Sequence, residues 1–510
     1  MNKIIINKLI KSKQKVIILL IMSFITTIIT FLKPYLSSKF FDLIIKPGNI
    51  NLIIKLILLI LIVTIFQMII GYIYNIVKIK FTSIVTFSGL NYIMKHLKKI
   101  PLEEYNKIES NYLADRLIND TSEVVEFIID NIFDVIKNTT LIVISFYIIF
   151  KIKYNIIIML IPIILIYYQL YKSFKTKIYR SNFEYTDKQS KFLSNVIYQI
   201  KNIKIIKVNN WYDESEYELK NIFNELLTTS VNVCKISYFY NNIQSIFSVL
   251  GNLIIMTYCG VLVNKNILTL GEFLMVNSYF NIILTTVNYF LSFSESYQKY
   301  LVAKNRINKY ISIKEETNGT IDINNIEYIE IRNISFSYND ERRIIKNFNC
   351  EFKRGKIYCI NGENGSGKST LCDLLLGLYE NYLGDIIFNS TNLRDINIYS
   401  FRNNIISICN QELNMFYYDK NNIKNDYFNV TGLNSKINLS GGEKQKLLIN
   451  RILNKDSDVM ILDEPSSALD RNSVEKLKEV ILQLKKEKII ILITHDSRLL
   501  SIADIIFDIN

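Results

Sequence analysis

Long apolar stretches dominate the first three hundred residues of this chain and then stop. Six of them reach the roughly 20 residues that an α-helix needs to cross the hydrocarbon core of a bilayer. The later apolar runs are shorter and are typical of strands. The sequence therefore predicts a membrane half followed by a half of mixed helix and strand. The six predicted spans lie near 16–34, 52–77, 132–150, 154–172, 243–263 and 271–293.

The first span resembles a signal peptide, because several lysines precede its apolar run. No small-residue cleavage site follows, and Lys33-Pro34-Tyr35 closes a stretch of full length, so we interpret it as a retained helix. Lysine-rich segments usually lie on the cytoplasmic side. The N-terminus and the segments 78–130 and 172–240 are lysine-rich, which places all three in the cytoplasm. Six spans then return the chain to that side.

Segments 78–130 and 172–240 also alternate polar and apolar residues at helical spacing. They are predicted to be spanning helices continued well beyond the bilayer. Polar side chains recur in the last two spans. They either face a water-filled cargo path or form hydrogen bonds between helices, and the second interpretation is favoured. These residues are Asn252, Asn277, Ser278, Asn281, Thr285, Thr286 and Asn288.

Composition agrees with a membrane protein, since 49% of residues are hydrophobic although the formal net charge is +13. The lysines are scattered between apolar spans without an aromatic-interleaved basic patch, so nucleic acid is not an expected partner. The six cysteines form no C-x-x-C pair and are expected to be buried, reduced thiols. Only two histidines occur, which excludes a histidine-rich metal site.

Residues 356–370 combine a predicted strand with a glycine-rich loop and a predicted helix. The loop follows the P-loop pattern, G-x-x-x-x-G-K-S, in its required context. Its glycines let backbone N–H groups approach phosphate oxygens, its lysine adds positive charge, and its serine hydroxyl suits Mg²⁺. ATP and Mg²⁺ are therefore expected to bind here. The residues are Gly362, Glu363, Asn364, Gly365, Ser366, Gly367, Lys368, Ser369 and Thr370.

A second apolar run, Val459–Leu462, ends in Asp463 and Glu464. An aspartate at the carboxyl end of a strand can hold a metal ion, and the next carboxylate can orient or deprotonate an attacking water. Alone, this pattern is weak evidence for a nucleotide-hydrolysing site, but downstream of a P-loop it is strong evidence. We therefore expect Asp463 to bind Mg²⁺ and Glu464 to act in hydrolysis.

Between these motifs, residues 439–445 read Leu-Ser-Gly-Gly-Glu-Lys-Gln, which matches the signature sequence of ATP-binding cassette proteins. The six spans and two long cytosolic extensions are similar to the exporter branch of that family. The resemblance covers nearly the whole chain. It implies an α-helical transmembrane domain over 1–313, a linker over 314–328 and an α/β P-loop nucleotide-binding domain over 329–510.

The resemblance also implies roles for further residues. Tyr338 corresponds to the aromatic residue that stacks on adenine, and His495 to the switch histidine that acts with Lys368 and Glu464 in catalysis. Gln411 would join Ser369 and Asp463 around the metal. The signature residues Ser440, Gly441, Gly442 and Glu443 would close over ATP held by another copy, beside the D-loop residues Ser467, Ala468, Leu469 and Asp470. Pro101–Asp120 and Ile203–Glu216 resemble the two cytosolic loops.

One nucleotide domain needs a second to complete its sites. A homodimer is favoured, because two-fold pairing would complete both sites identically and no motif residue is degenerate. An obligate half of a heterodimer and a non-transporting sensor ATPase stay open as alternatives. The expected function is ATP-driven export by alternating access. The protein is expected to lie in the cell membrane of a bacterium. The cargo is open among drugs, lipids and peptides, with an amphipathic peptide slightly preferred.

Three departures from the family pattern carry expectations of their own. The segment between Gln411 and the signature is short, so the helical subdomain is expected to be trimmed. The chain ends soon after His495, so the usual closing strand and tail are expected to be absent. The first cysteine is Cys234, so no cysteine peptidase domain is expected ahead of the first span.

Overall fold

The chain divides into two compact units. One comprises Met1–Leu97 with Glu109–Ser312, and the other comprises Lys98–Ile108 with Ile313–Asn510. The first unit is helical, and the second contains both sheets. The computed structural model describes residues 10–45, 50–108, 110–338, 343–363, 365–409, 425–428, 430 and 439–509.

In the described part of the membrane unit, six helices are long and apolar enough to cross a membrane, as predicted. Many of their large apolar side chains face outward; Phe24, for example, is 61% exposed. An outward apolar surface of this kind suits lipid rather than water. The long helices of this unit are α1 (Lys13–Ile45), α2 (Ile50–Leu97), α4 (Ser110–Ile152), α5 (Tyr154–Lys201), α7 (Tyr212–Asn264) and α8 (Leu270–Ile311), and α6 (Ile203–Asn209) is a short helix between α5 and α7. The short helix α3 (Leu102–Asn106) belongs to the second unit.

The predicted extensions beyond the bilayer are continuous with their spans. Helix α2 runs on from its apolar span to Leu97, and α5 runs on to Lys201. Helix α7 begins at Tyr212, long before its apolar stretch. The short helices α3 and α6 lie in the two stretches that resemble cytosolic loops.

Buried apolar residues of α4, α5, α7 and α8 form the interior of the membrane unit, including Phe280 and Cys259. Some polar residues of the last two spans bond between helices, as when the Asn252 amide donates to Asn281 Oδ1 at 3.3 Å. Thr286 donates instead to a carbonyl of its own helix. One cysteine departs from the prediction of burial: Cys234 is exposed, because it lies on the polar extension of α7.

The second unit contains a four-stranded antiparallel sheet and a five-stranded parallel sheet, ordered β2-β1-β4-β5 and β6-β7-β8-β3-β9. Strands β7 and β8 are buried along their full length, as uninterrupted runs of aliphatic residues predict for a parallel sheet covered on both faces. The strands are β1 (Tyr328–Phe336), β2 (Ile345–Lys353), β3 (Ile357–Asn361), β4 (Leu383–Phe388), β5 (Thr391–Asn392), β6 (Ile406–Cys409), β7 (Val459–Asp463), β8 (Ile489–Ile493) and β9 (Ile505–Asp508).

The expectation that no closing strand follows His495 is wrong. Strand β9 pairs in parallel with β3, and Ile509 N donates to Asn361 O at 2.9 Å just beyond it. The short run Ile505-Ile506-Phe507 provides enough β-prone residues for this edge position.

The helices of this unit that follow β3 are α9 (Lys368–Leu375), α10 (Ile398–Asn404), α11 (Gly441–Leu453), α12 (Arg471–Leu484) and α13 (Ser497–Leu500).

A partly buried ion pair holds the segment before β1 against the rest of this unit. Arg402 donates to both carboxylate oxygens of Glu316, at 3.0 and 2.9 Å, and the Glu316 side chain is only 9% exposed. The same guanidinium donates to the carbonyls of Leu376 and Gly377, just beyond α9. Glu316 N in turn donates to Lys99 O at 2.7 Å, next to α3. Arg402 therefore joins three segments of the unit.

Replacing Arg402 tests this assignment. Arg402→Gln leaves the partly buried Glu316 carboxylate without its guanidinium, and leaving such a group unpaired costs roughly 1–3 kcal/mol of stability. We expect a clear fall in the Tm of the purified full chain, followed by intrinsic fluorescence in detergent. Arg332→Gln is the matched control, because Arg332 pairs with Glu330 on the surface and its loss should shift the Tm little. Equal shifts for both variants would contradict the assignment.

Candidate functional site

The glycine-rich loop lies at the carboxyl end of β3 and leads into α9. Lys368 is the first residue of α9 and is 8% exposed. Its ammonium group donates to Gly362 O at 2.7 Å and to Glu363 O at 2.9 Å. The lysine side chain is thereby held inside the curve of the loop, where phosphates bind in P-loop proteins.

The loop depends on glycine at specific positions. Gly367 caps α9 in the left-handed region at φ +99°, and a Cβ there would lie 2.8 Å from Ile344. Packing leaves no room for a side chain at position 362, since a Cβ on Gly362 would lie 2.6 Å from Ile509 O. The first backbone N–H groups of a helix have no partner within that helix, so those at the start of α9 are suited to an anion.

Ser369 and Asp463 meet at the site. The serine hydroxyl donates to Asp463 Oδ2 at 2.8 Å, and the aspartate is almost fully buried. Burial raises the pKa of Asp463 above its ordinary value, while the Ser369 hydrogen bond and Lys368 oppose that shift. Among the described residues, no three His, Cys, Asp or Glu side chains group together as a metal site. Two adjacent oxygen ligands suit Mg²⁺, which takes its other ligands from phosphate and water.

Glu464 follows β7 with a positive φ of 45°, which is strained for a residue with a side chain. Two hydrogen bonds hold this conformation: Glu464 N donates to Ile493 O at 2.8 Å, and Gln445 Nε2 donates to Glu464 O at 3.0 Å. Strain held in this way is typical of functional sites, where it fixes the direction of a side chain.

Gln445 is a residue whose role the sequence did not reveal. Its amide donates to Ser467 Oγ at 3.1 Å and its carbonyl accepts from Ala468 N at 2.6 Å, in addition to the bond to Glu464 O. It is 2% exposed on α11. A buried, fully bonded amide thus connects the signature helix with the D-loop and Glu464. Its place at the end of the signature stretch was its signal in the sequence.

The signature residues form the N-terminus of α11. Ser440 is the N-cap and exchanges hydrogen bonds with Glu443 in a capping box. Ser440 and Gly441 are exposed, whereas a Cβ on Gly442 would lie 2.8 Å from Ala468 O. The helix N-terminus therefore presents free backbone donors and a partial positive charge.

Tyr338 is 42% exposed and packs edge-on against Phe336 and Tyr379, with ring centroids 5.0 and 5.3 Å away. Its hydroxyl lies 3.0 Å from Thr370 Oγ1 of α9. The ring is thus fixed beside the P-loop helix with one face accessible, as a base-stacking residue requires.

The other predicted site residues lie around the same sheet edge. Asp470 caps α12 through a hydrogen bond from Ser473 N, and Lys446 pairs with it at 3.2 Å. His495 is exposed directly after β8. Asn364 and Gln411 lie outside the described residues, as does most of the segment expected to form a trimmed helical subdomain.

Asp373, on α9, was not singled out from the sequence. Burial raises its pKa to about 6, and the Asp463 carboxylate adds to that shift. The unfolded chain has the ordinary pKa of about 3.9, so the folded chain binds this proton more tightly. Ionised Asp373 therefore costs stability above pH 6. That cost shrinks as the pH falls through about 6 and disappears below the unfolded value.

Asp373→Asn removes this titration. We expect the variant to raise the Tm of the full chain at pH 7.5 and to raise it much less at pH 5, where the wild-type carboxyl is mostly protonated. Differential scanning fluorimetry at the two pH values measures the difference. Asp322→Asn, at an exposed position, serves as the control. A gain in Tm that is equal at both pH values would show that ionised Asp373 carries no such cost.

Family comparisons agree with these features. The sequence matches the ABC transporter transmembrane region over residues 16–287 and the ABC transporter family over residues 345–467. The structure superposes on a bacterial Atm1-family ABC exporter with ATP bound, with a TM-score of 0.82 over 98% of this chain and 93% of the other. At 16% sequence identity this likeness establishes the fold alone.

Three relatives illustrate the range of the family. The microcin-J25 export ATP-binding/permease protein McjD of Escherichia coli is 29% identical over 51% of this chain and 50% of its own length. ATP-dependent lipid A-core flippase 2 of Colwellia psychrerythraea is 28% identical over 48% and 47%. The lactococcin-G-processing and transport ATP-binding protein LagD of Lactococcus lactis is 25% identical over 59% and 47%. This chain thus spans about half the length of the relatives it matches.

The membrane-region match covers more than half of the chain, and a P-loop and signature follow it in the same polypeptide. The fold agrees over nearly the full length. The chain therefore belongs to the ATP-binding cassette transporters, in the arrangement in which membrane and ATP-binding regions are fused.

Proposed function

We propose that this chain is an exporter subunit that couples ATP hydrolysis to the movement of cargo across the cytoplasmic membrane. The observation that carries the proposal is the Lys368, Ser369, Asp463 and Glu464 constellation at one sheet edge, in a chain that also has six potential spans. The four-residue constellation supports ATP hydrolysis, because it combines a glycine-rich loop with an acidic pair. The six potential spans support a path for cargo through the bilayer.

ATP would bind with its phosphates along the P-loop and its base against Tyr338. Lys368, now bonded to loop carbonyls, would turn to the phosphates and offset their charge. Ser369 and Asp463 would hold Mg²⁺, whose charge would stabilise the transferring phosphoryl group. Glu464 would position or deprotonate the attacking water, and His495 would contact the terminal phosphate.

A second copy of the chain would complete each site. The exposed N-terminus of α11 offers Ser440 and Gly441 to the nucleotide of a partner. Helix α6 and its flank also expose apolar side chains, with Val208 at 76% and Tyr212 at 52%, as expected of a surface that another subunit covers. We propose a homodimer in which ATP closes the nucleotide domains and hydrolysis resets the inward-facing state. ATP drives the change through its greater affinity for the closed state.

The cargo we propose is a peptide. Relatives named for microcin-J25 export and lactococcin-G transport support this assignment, while those named for flipping lipid A-core make lipid the competing class. Stimulation of turnover by lipids and by no peptide would reverse the assignment.

Glu464→Gln tests the catalytic assignment. Loss of a general base lowers turnover by about 10²- to 10⁴-fold, while ATP affinity should persist because the amide keeps the size of the side chain. Phosphate release by the purified chain in lipid discs, with the oligomeric mass recorded, measures the effect. Glu479→Gln, at an exposed position further along α12, should retain wild-type turnover.

Four outcomes separate the alternatives. Turnover by a two-copy assembly that Glu464→Gln abolishes supports the homodimer. Turnover that Glu464→Gln leaves unchanged refutes its catalytic role. Turnover that no compound accelerates, without accumulation of any compound in vesicles, favours a sensor ATPase. A well-folded chain that hydrolyses ATP only beside a second, different chain favours the heterodimer.

A further inference from the structure

A polar cavity of about 370 Å³ lies in the membrane unit among α5, α7 and α8, at the ends of their apolar spans that we assign to the cytosolic side. We call it the tyrosine cavity. Among the residues that the structure describes, four tyrosines and four amide side chains line it, beside one lysine, Lys175, and one aliphatic residue, Ile178. Its lining is therefore rich in uncharged groups that both donate and accept hydrogen bonds.

A second cavity, of about 310 Å³, lies between α4 and α8 and is acidic. Carboxylates at four positions along one side of α4 line this acidic cavity. The facing helix contributes one lysine, Lys299, and Lys78 of α2 pairs with two of the carboxylates at 3.0 and 3.8 Å. Among the described residues that line the cavity, carboxylates therefore outnumber cations. The four carboxylates are Glu123, Glu126, Asp130 and Asp134.

Aromatic rings accompany these carboxylates. Phe127 stacks on Tyr300 at 4.7 Å between ring centroids and touches Phe293 at 5.5 Å. Rings beside carboxylates bind organic cations well, since the ring face attracts positive charge that the carboxylates neutralise. Among the residues that the structure describes, these carboxylates are not grouped closely enough to form a metal site.

Tyr289 belongs to both cavities. Its hydroxyl donates to Asn131 Oδ1 of α4 at 3.0 Å, which fixes the ring at the boundary between them. The two volumes each fall within the range of ligand pockets, about 300–1,000 Å³. The shared residue makes the two cavities neighbours, and a ligand longer than either one would have to pass Tyr289 to occupy both.

We propose that the tyrosine cavity and the acidic cavity form one cargo site, and that its cargo is a cationic peptide. Backbone amides of the peptide bond to the hydroxyl and amide groups of the tyrosine cavity, and basic side chains enter the acidic cavity. The proposal rests on the exporter function proposed above and narrows its cargo from amphipathic peptides to positively charged ones.

The lining disfavours the competing cargo. An acyl chain in the tyrosine cavity would cover hydroxyl and amide groups without bonding to them, which costs free energy. An anionic headgroup in the acidic cavity would meet like charge.

Peptide binding to the full chain in lipid discs, without nucleotide, tests the proposal. The probe is a fluorescent amphipathic peptide rich in Lys and Arg, compared by anisotropy with the same peptide carrying Glu at every basic position. We expect the cationic peptide to bind and the reversed one not to bind. Glu126→Gln should weaken cationic binding by about fivefold, as expected for a solvent-accessible ion pair, and added salt should narrow that difference.

Two further variants sharpen the result. Lys175→Met removes the one cation lining the tyrosine cavity and should tighten cationic binding, which a misfolded variant would not do. Glu184→Gln is the matched control, because Glu184 pairs with Arg180 on the surface of α5 and lines neither cavity. Its peptide affinity and its basal ATPase rate should equal those of the wild type.

Charge-independent peptide binding, an unchanged affinity in both Glu126→Gln and Lys175→Met, or displacement of the probe by an anionic lipid would each overturn the proposal. Failure of the export function would be seen separately, as absent ATP turnover, because the binding measurement uses no nucleotide.

Discussion

Parallel pairing of β3, β7 and β8 is the constraint on which the nucleotide site depends. The carboxyl ends of parallel strands meet at one edge, where ligands bind in open α/β sheets. Asp463 pairs with Ile493, and Ile360 pairs with the same residue from the other side. The acidic pair, the histidine segment and the P-loop are distant in sequence, yet register alone places them side by side. Burial of the aliphatic strands fixes that register, because a one-residue slip of a strand would turn each of its buried side chains to the opposite face of the sheet.

Contiguous bonds lead from this site to the short helix α3. Just beyond the P-loop helix α9, the carbonyls of Leu376 and Gly377 accept hydrogen bonds from Arg402. The same guanidinium also binds Glu316. Glu316 N donates to Lys99 O, and Glu103 of α3 accepts from Asn381 at 3.1 Å. Leu102 of the same helix packs against the core of the nucleotide unit. A shift of α9 on nucleotide binding would therefore reach α3 through directional bonds rather than through a flexible loop.

Sequence reasoning succeeded where a local pattern has one physical meaning. Apolar length correctly predicted the six spans, and the glycine-rich loop between a strand and a helix correctly predicted the position of the P-loop at the start of α9. The reasoning failed at β9, because a four-residue edge strand is stabilised by its partner β3 more than by its own composition. The hydrogen bonds of Gln445 and Arg402 could not be predicted from the sequence for a related reason. Their partners lie far away in sequence, so only the fold brings the bonding groups together.

The central claim is that two copies of this chain share each ATP site, with the P-loop of one beneath the signature of the other. Mixing two inactive variants tests it most directly. Lys368→Ala removes the P-loop cation, and Ser440→Arg blocks the signature. A mixed dimer keeps one intact site, formed by the P-loop of the Ser440→Arg copy and the signature of the Lys368→Ala copy. Co-purified mixed dimers should therefore hydrolyse ATP while each variant alone does not. Mixed dimers as inactive as either parent would contradict the account.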